Sequence, residues 1–131
     1  MASEPLPKGV EPDSRNPAAA EHAAVTKLSP WSVADTVARL AAVIAARGLQ
    51  LFAVIDHSGN ARGLGLTLRD TKLVLFGSAA ALTPIIDAAP LAALKLPARV
   101  VVWEDGYQTR VSYPGPAPAC IDAIISAVIA R

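Results

Sequence analysis

Two short stretches of the sequence carry side chains that could perform acid–base chemistry. Asp56 and His57 follow one apolar run, and Glu104 and Asp105 end another. Histidine and carboxylate groups are common proton donors and acceptors in enzyme active sites, and two carboxylates can share these roles when their surroundings differ. If the ends of the two runs lie side by side, a carboxylate could approach Asp56 or His57 and form a small acidic cluster.

A structural interpretation of both pairs stands beside the chemical one. Neighbouring residues on a strand point to opposite faces, so Asp56 cannot orient His57 as the carboxylate of a catalytic triad would. An Asp before a turn often caps that turn, and charged residues at a hairpin end commonly face solvent. A firm metal site needs three or four converging ligands, and His57 is the only nearby nitrogen donor, so no metal is predicted.

A small-molecule pocket is the binding site that the sequence favours. Thr83 can cap a helix that has Pro84 at its first position, and the N–H groups at such a helix start can bind an anion. We expect a pocket walled by Phe76, Thr83, Trp103 and the turn after the second strand. The candidate ligand-binding residues are Asp56, His57, Phe76, Thr83, Trp103, Glu104 and Asp105.

Other nucleophiles and cofactor motifs receive little support. Cys120 is the only cysteine and has no His or Asn partner placed by the sequence, and Ser58 lacks a GxSxG context. The chain contains neither GxGxxG nor GxxxxGK, so nucleotide binding is not indicated and the cofactor, if any, stays unknown.

Charge and hydropathy exclude several classes of partner. The 131-residue chain has 12 Lys and Arg against 11 Asp and Glu, and the cations are scattered singly. A nucleic-acid-binding domain would present a basic patch, so no nucleic acid partner is predicted. No apolar run reaches the roughly 18 residues of a membrane-spanning helix, and no secretory signal is recognised, so we expect a cytoplasmic protein without a membrane partner.

The order of apolar patterns predicts one α+β domain over residues 23–131, after a disordered Pro-rich tail at 1–22. Helical spacing after Ser32, a capping residue, indicates a long helix that Gly48 ends. The expected fold is a β-α-β(4)-α-like, curved and mainly antiparallel sheet, with two long helices on one face and a short helix before the fifth strand. Strands are expected at 23–29, 49–56, 64–68, 72–76, 99–104 and 107–113, and helices at 33–47, 83–89 and from 119.

Three of these strands predict an interface. Residues 51–55, 73–76 and 100–103 are apolar at consecutive positions, so both faces of the sheet centre must be covered. Connection lengths place the two long helices on the same face. The other face then needs a partner subunit, the short helix with its loops, or a ligand. We favour a twofold homodimer, the commonest closed assembly.

An ordered set of short motifs resembles the domain-of-unknown-function 302 family. The signatures ID-H, FG, TP, AP, LP and W-E-D occur in this order within IDHSG (55–59) and TKLVLFGSAAALTPIIDAAPLAALKLPARVVVWED (71–105). The resemblance covers roughly residues 25–113. It implies a topology similar to TATA-box-binding-protein-like folds and a dimer. It implies no reaction, because the family has no established activity.

Three functions stay open from the sequence. The first is a non-catalytic module that binds a small ligand or a protein partner near the Asp56–His57 turn and the Thr83 helix. The second is an enzyme that uses His57 with Glu104 or Asp105, with or without a metal. The third is a purely structural or assembly role.

Overall fold

The computed structural model describes residues 24–131, so the predicted tail at 1–22 lies outside the described residues. The described residues form a five-stranded sheet, four α-helices and one 3-10 helix, which confirms the α+β class. The strands are β1 (Ala24–Ser29), β2 (Gln50–Asp56), β3 (Thr71–Gly77), β4 (Ala98–Asp105) and β5 (Gln108–Pro114). The helices are α1 (Val33–Ala46), α2 (His57–Gly63), α3 (Ala79–Ala88), the 3-10 helix (Pro90–Leu94) and α4 (Ala119–Ile129).

The sheet has the order β1-β5-β4-β3-β2, and every neighbouring pair is antiparallel. β1 and β2 therefore lie at opposite edges, and α1 connects one edge to the other. Ser32 caps α1, because its hydroxyl accepts a hydrogen bond of 3.0 Å from the backbone N–H of Asp35. Gly106 turns β4 into β5 with a φ of 64°, a conformation that favours glycine.

The hydrophobic core lies between one face of the sheet and the two long helices, α1 and α4, as predicted. Because side chains alternate along a strand, every second residue of β3, β4 and β5 reaches this core. We call this side the helix face; six of its strand residues are at most 3% exposed and form the core: Val74, Phe76, Val100, Val102, Val111 and Tyr113.

The opposite side, which we call the open face, is also apolar at its centre. Cross-strand pairing places Ile55 beside Leu73 and Leu73 beside Val101. Toward the β1 edge the same row of side chains becomes polar, because Val101 pairs with Ser112 and Ser112 with Thr26. The apolar residues at the centre of this face are only partly buried: Ala53, Ile55, Leu73, Leu75, Val101 and Trp103. The described helices that contribute to the core, α1 and α4, both lie on the other side of the sheet.

The strand expected at 64–68 is wrong. Residues 57–63 form α2, which Asp56 caps, and the segment that follows has no regular structure. Leu64 and Leu66 are 78% and 60% exposed, so the alternating leucines do not mark a strand with one buried face. Gly59 and Asn60, where a turn was expected after the second strand, lie inside α2, because Asp56 caps a helix there.

The start predicted for the short helix is also wrong. α3 begins at Ala79 and its cap is Ser78, whose hydroxyl accepts a 3.1 Å hydrogen bond from the N–H of Ala81. Thr83 lies within the helix, where its hydroxyl donates a 2.7 Å hydrogen bond to the Ala79 carbonyl. Ser78 precedes three alanines, the residue with the highest helix propensity, and this combination starts the helix five residues before Pro84.

Candidate functional site

Asp56 organises the loop between β2 and β3. Its Oδ1 accepts hydrogen bonds from the Gly59 backbone N–H at 2.9 Å and from the Ser58 hydroxyl at 3.0 Å, and it lies 3.1 Å from Lys72 Nζ. The Gly59 bond first, then Lys72 and Ser58, lower the pKa of Asp56 to about 2. The carboxylate is therefore ionised and occupied by structural partners at neutral pH.

Ser58 joins Asp56 to the start of β3. Its side chain is only 1% exposed, and its hydroxyl lies 3.0 Å from Asp70 Oδ1 while accepting a 3.1 Å hydrogen bond from the Thr71 N–H. A buried hydroxyl with these partners has a structural role. His57, the first residue of α2, is exposed to solvent.

The second carboxylate pair lies at the end of β4. Glu104 is exposed, and its backbone N–H donates to the Asp70 carbonyl at 2.9 Å. Asp105 forms an ion pair of 2.9 Å with Arg110 and lies 3.9 Å from Arg69. Among residues 24–131, no group of three or more His, Cys, Asp and Glu side chains is arranged to hold a metal ion.

Trp103 and Phe76 occupy opposite faces of the sheet. Trp103 pairs with Thr71 of β3, so these two side chains share a face. Phe76 lies five residues after Thr71, an odd number, so its side chain is on the opposite face, in the core. Trp103 lies on the open face with Arg69 and Arg110 each 5.9 Å from its ring centre, a distance that permits cation–π attraction. The prediction that Phe76, Thr83, Trp103 and the Asp56–His57 turn wall one pocket is therefore wrong. Whether these residues bind a ligand stays a prediction.

A different cavity opens at the end of the sheet where β3 ends and β4 begins. Its volume is about 600 Å³. It lies between the sheet, the first turns of α4, the start of α3 and the segment after the 3-10 helix. Phe76 is the one predicted site residue that lines it. Apolar side chains form most of the wall, including Leu49, Phe76, Leu82, Leu94, Leu96, Pro97, Pro116, Ile121 and Ile124.

Tyr113 is the most buried polar side chain of this cavity. It is 3% exposed, and its hydroxyl donates a 2.6 Å hydrogen bond to Asp122 Oδ1 at the start of α4. Burial raises the pKa of Tyr113 to about 12, and the hydrogen bond and charge of Asp122 act in the same direction. Cys120 lines the cavity as well and is exposed. The hydroxyl is thus neutral and held by α4.

The sequence alone did not indicate this cavity, because its walls come from four separate parts of the chain: Leu49 and residues within 76–82, 94–99 and 113–124. Pro114, at the end of β5, and Pro116 and Pro118, before α4, also line the cavity. One signal was available. The run from Leu91 to Pro97 carries several aliphatic residues outside any predicted strand or long helix, and Leu91 and Leu94 are 79% and 70% exposed.

A family model described as domain of unknown function DUF302 matches residues 25–128, most of the chain. The chain belongs to the DUF302 family. This match confirms the resemblance found from the short motifs and extends it through α4. The crystal structure of an uncharacterised conserved DUF302 protein from Bacillus stearothermophilus is similar with a TM-score of 0.68. The alignment covers 82% of this chain and 95% of that chain at 16% identity, and it shows the fold alone.

Curated relatives of this DUF302 chain come from Brucella. The fluoride-specific ion channel FluC 1 of Brucella suis is 38% identical over 82 residues, which cover 63% of this chain and 32% of the relative. FluC 1 of Brucella abortus and FluC 2 of Brucella melitensis match at the same identity, with 30% of each relative covered. The chain thus spans about a third of the length of these relatives. Within residues 24–131, no helix is both long and apolar enough to cross a membrane.

Proposed function

We propose that this DUF302 domain is a non-catalytic module that binds a small apolar ligand and works as a homodimer. The observation that carries the proposal is the cavity of about 600 Å³ at the end of the sheet. Ligand pockets commonly have volumes of about 300–1,000 Å³ and are lined by apolar side chains with a few polar groups. The cavity has this size and this character.

The geometry of the titratable residues favours binding over catalysis. The Asp56 carboxylate is engaged by Gly59, Ser58 and Lys72, and the Asp105 carboxylate is engaged by Arg110. An acid–base catalyst needs a group that can reach a substrate proton. The enzyme alternative, built on a His and carboxylate cluster, therefore has less support than a binding module.

A neutral dye tests whether the cavity accepts an apolar molecule. N-phenylnaphthylamine fluoresces in apolar surroundings, and we expect saturable binding to the wild-type chain. Ala81 on α3 lines the cavity, so Ala81→Phe should fill part of the cavity and lower the affinity for the dye by at least about tenfold. Ala80, its exposed neighbour outside the lining, provides the matched control Ala80→Phe. Equal binding to all three proteins would contradict the proposed site.

The dimer proposal is supported by the open face. A five-stranded face of this length measures roughly 500 Å², so two copies would bury about 1,000 Å² in total, near the lower limit for a specific interface. Each Val, Leu or Ile that becomes fully buried contributes up to roughly 1.5–3 kcal/mol, and less when it is already half-buried. Residues such as Leu73 and Val101 can therefore support association in the micromolar range.

Sedimentation equilibrium at micromolar concentration tests the assembly. The wild-type chain should behave as a dimer, and Val101→Glu should be a monomer because the charge would be buried against Leu73 of the same face. The control is Ala42→Glu on the exposed side of α1, and circular dichroism checks that both variants fold. A wild-type monomer, or a folded Val101→Glu dimer, would refute association through the open face.

The Brucella relatives fit a module that can be combined with other functional parts. Their names describe fluoride-specific ion channels, and this chain corresponds to about a third of each relative. We propose that the shared segment contributes ligand binding rather than fluoride conduction. Fluoride added to the dye assay should leave dye binding unchanged. The cytoplasmic location remains a sequence prediction, which cell fractionation can test.

A further inference from the structure

We propose that the ligand of the cavity is an amphiphile with an apolar body and a single anionic head group. This inference rests on the proposed function, because it specifies the chemistry of the same site. The body would occupy the apolar interior, and the head group would lie at the mouth beside Lys95 and Arg99. A medium-chain carboxylate is the simplest molecule of this class.

The charges around the cavity have one sign. Lys95 and Arg99 both line it, and both side chains are exposed to solvent. No Asp or Glu is among the lining residues that the structure describes. Tyr113 is the lining residue that contacts a carboxylate, because its hydroxyl donates a hydrogen bond to Asp122. An anion at the mouth would therefore meet attraction and little opposing charge.

Arg99 is also held in place. Its Nη2 donates a hydrogen bond to the carbonyl of Leu94, at the end of the 3-10 helix. This bond holds one N–H of the guanidinium against Leu94, which also lines the cavity, while the remaining N–H groups can donate to a ligand. A cation that is already ordered loses less conformational entropy when it binds a carboxylate.

The interior explains why the ligand would need an apolar body. Phe76 and Ile124 at its base are at most 1% exposed, and Leu82 and Ile121 complete the wall. A small inorganic anion would leave this surface in contact with water. Each buried methylene of an alkyl chain removes apolar surface from water, so affinity should rise by about fourfold for each methylene added.

Displacement of N-phenylnaphthylamine by three molecules with the same alkyl chain separates the contributions of body and head. The molecules are decanoate, decanol and decyltrimethylammonium. We expect decanoate to bind about tenfold more tightly than decanol, since each exposed cation contributes a factor of about two to five. The double variant Lys95→Gln with Arg99→Gln should remove this preference and leave decanol unchanged. Arg62→Gln is the control, an exposed cation on α2 outside the lining.

Each outcome distinguishes the inference from the proposed function. Decanoate preference that is lost only in the double variant supports the inference. Equal affinity of decanoate and decanol, or tightest binding of decyltrimethylammonium, would overturn it while leaving an apolar binding module. Failure of all three molecules and of the dye to bind would refute the proposed function as well.

Discussion

Replacement of Tyr113 by phenylalanine should make the stability of the domain less sensitive to alkaline pH. The Tyr113 hydroxyl is buried at the cavity wall and donates to Asp122 at 2.6 Å. Burial first, and then Asp122, raise its pKa from 10.0 to about 12. The folded protein therefore keeps this proton at pH values where the unfolded chain has lost it.

The sign and size of the effect follow from proton linkage. A raised pKa contributes stability that is complete below pH 10 and is lost as the pH rises toward 12. Between about pH 8 and about pH 11, the wild type should lose about 1.4 kcal/mol more unfolding free energy than Tyr113→Phe. Near neutral pH the variant should be less stable by about 1–2 kcal/mol, because the hydrogen bond to a partly exposed carboxylate is missing.

Urea unfolding at several pH values measures this difference. Lys27, 3.9 Å from Asp122, is present in both proteins, so its contribution cancels in the comparison. Tyr107→Phe is the matched control, because Tyr107 is fully exposed in the hairpin turn and should behave as wild type. Parallel pH curves for wild type and Tyr113→Phe would refute the interaction between Tyr113 and Asp122.

Three further predictions concern the helix starts. Gly59→Ala should lower the unfolding free energy by about 1–2 kcal/mol, because the new Cβ would lie 2.3 Å from Asp56 Oδ2 and displace the cap of α2. In the control Gly63→Ala the new Cβ meets nothing within 4 Å, so this variant should be neutral or stabilising. Equal effects of the two variants in thermal melts would contradict the prediction. The pKa of Asp56 is lowered to about 2, so the contribution of this carboxylate to the stability of the fold is complete above pH 3.8 and is lost as the pH falls through 2. The stability difference between wild type and Asp56→Asn should therefore shrink in acid unfolding, and a constant difference would count against the cap. Ser78→Ala should cost about 1 kcal/mol by loss of the α3 cap, and chemical unfolding with no change would reject that role.

The architecture could be predicted because strong local signals agreed with each other. Ser32 and Gly48 delimit α1 through capping chemistry, and consecutive apolar residues mark β3 and β4 as central strands. The family match at 25–128 confirms the resemblance seen in the short motifs. These features depend on neighbouring residues in the sequence, so they are visible without the fold.

The errors arose where two local signals competed. The leucines at 64, 66 and 68 have the period of a strand, but the cap on Asp56 forms α2 before them, and they have no neighbouring strand. Thr83-Pro84 is a good helix start, but Ser78 and the alanines after it start α3 earlier. Local patterns do not determine which of two acceptable caps is used, because packing of the completed chain decides it.

The site was predicted less well than the fold, because it depends on register. Phe76 and Trp103 were expected in one pocket, but their strand positions differ by an odd number of residues across the β3–β4 ladder. That parity is set by the pairing of Thr71 with Trp103, which no local pattern specifies. The cavity also depends on the segment after α3 folding back toward α4, a long-range arrangement.

Methyl NMR of the leucine and isoleucine side chains during titration with N-phenylnaphthylamine tests most directly whether the cavity is the binding site. Methyl groups of Leu82, Leu94 and Ile121 line the cavity and should shift in a saturable manner. Methyl groups of Ile55 and Leu73 lie on the open face and should keep their positions. Shifts confined to Ile55 and Leu73, or no saturable shift at any methyl group, would contradict a ligand-binding cavity at the end of the sheet.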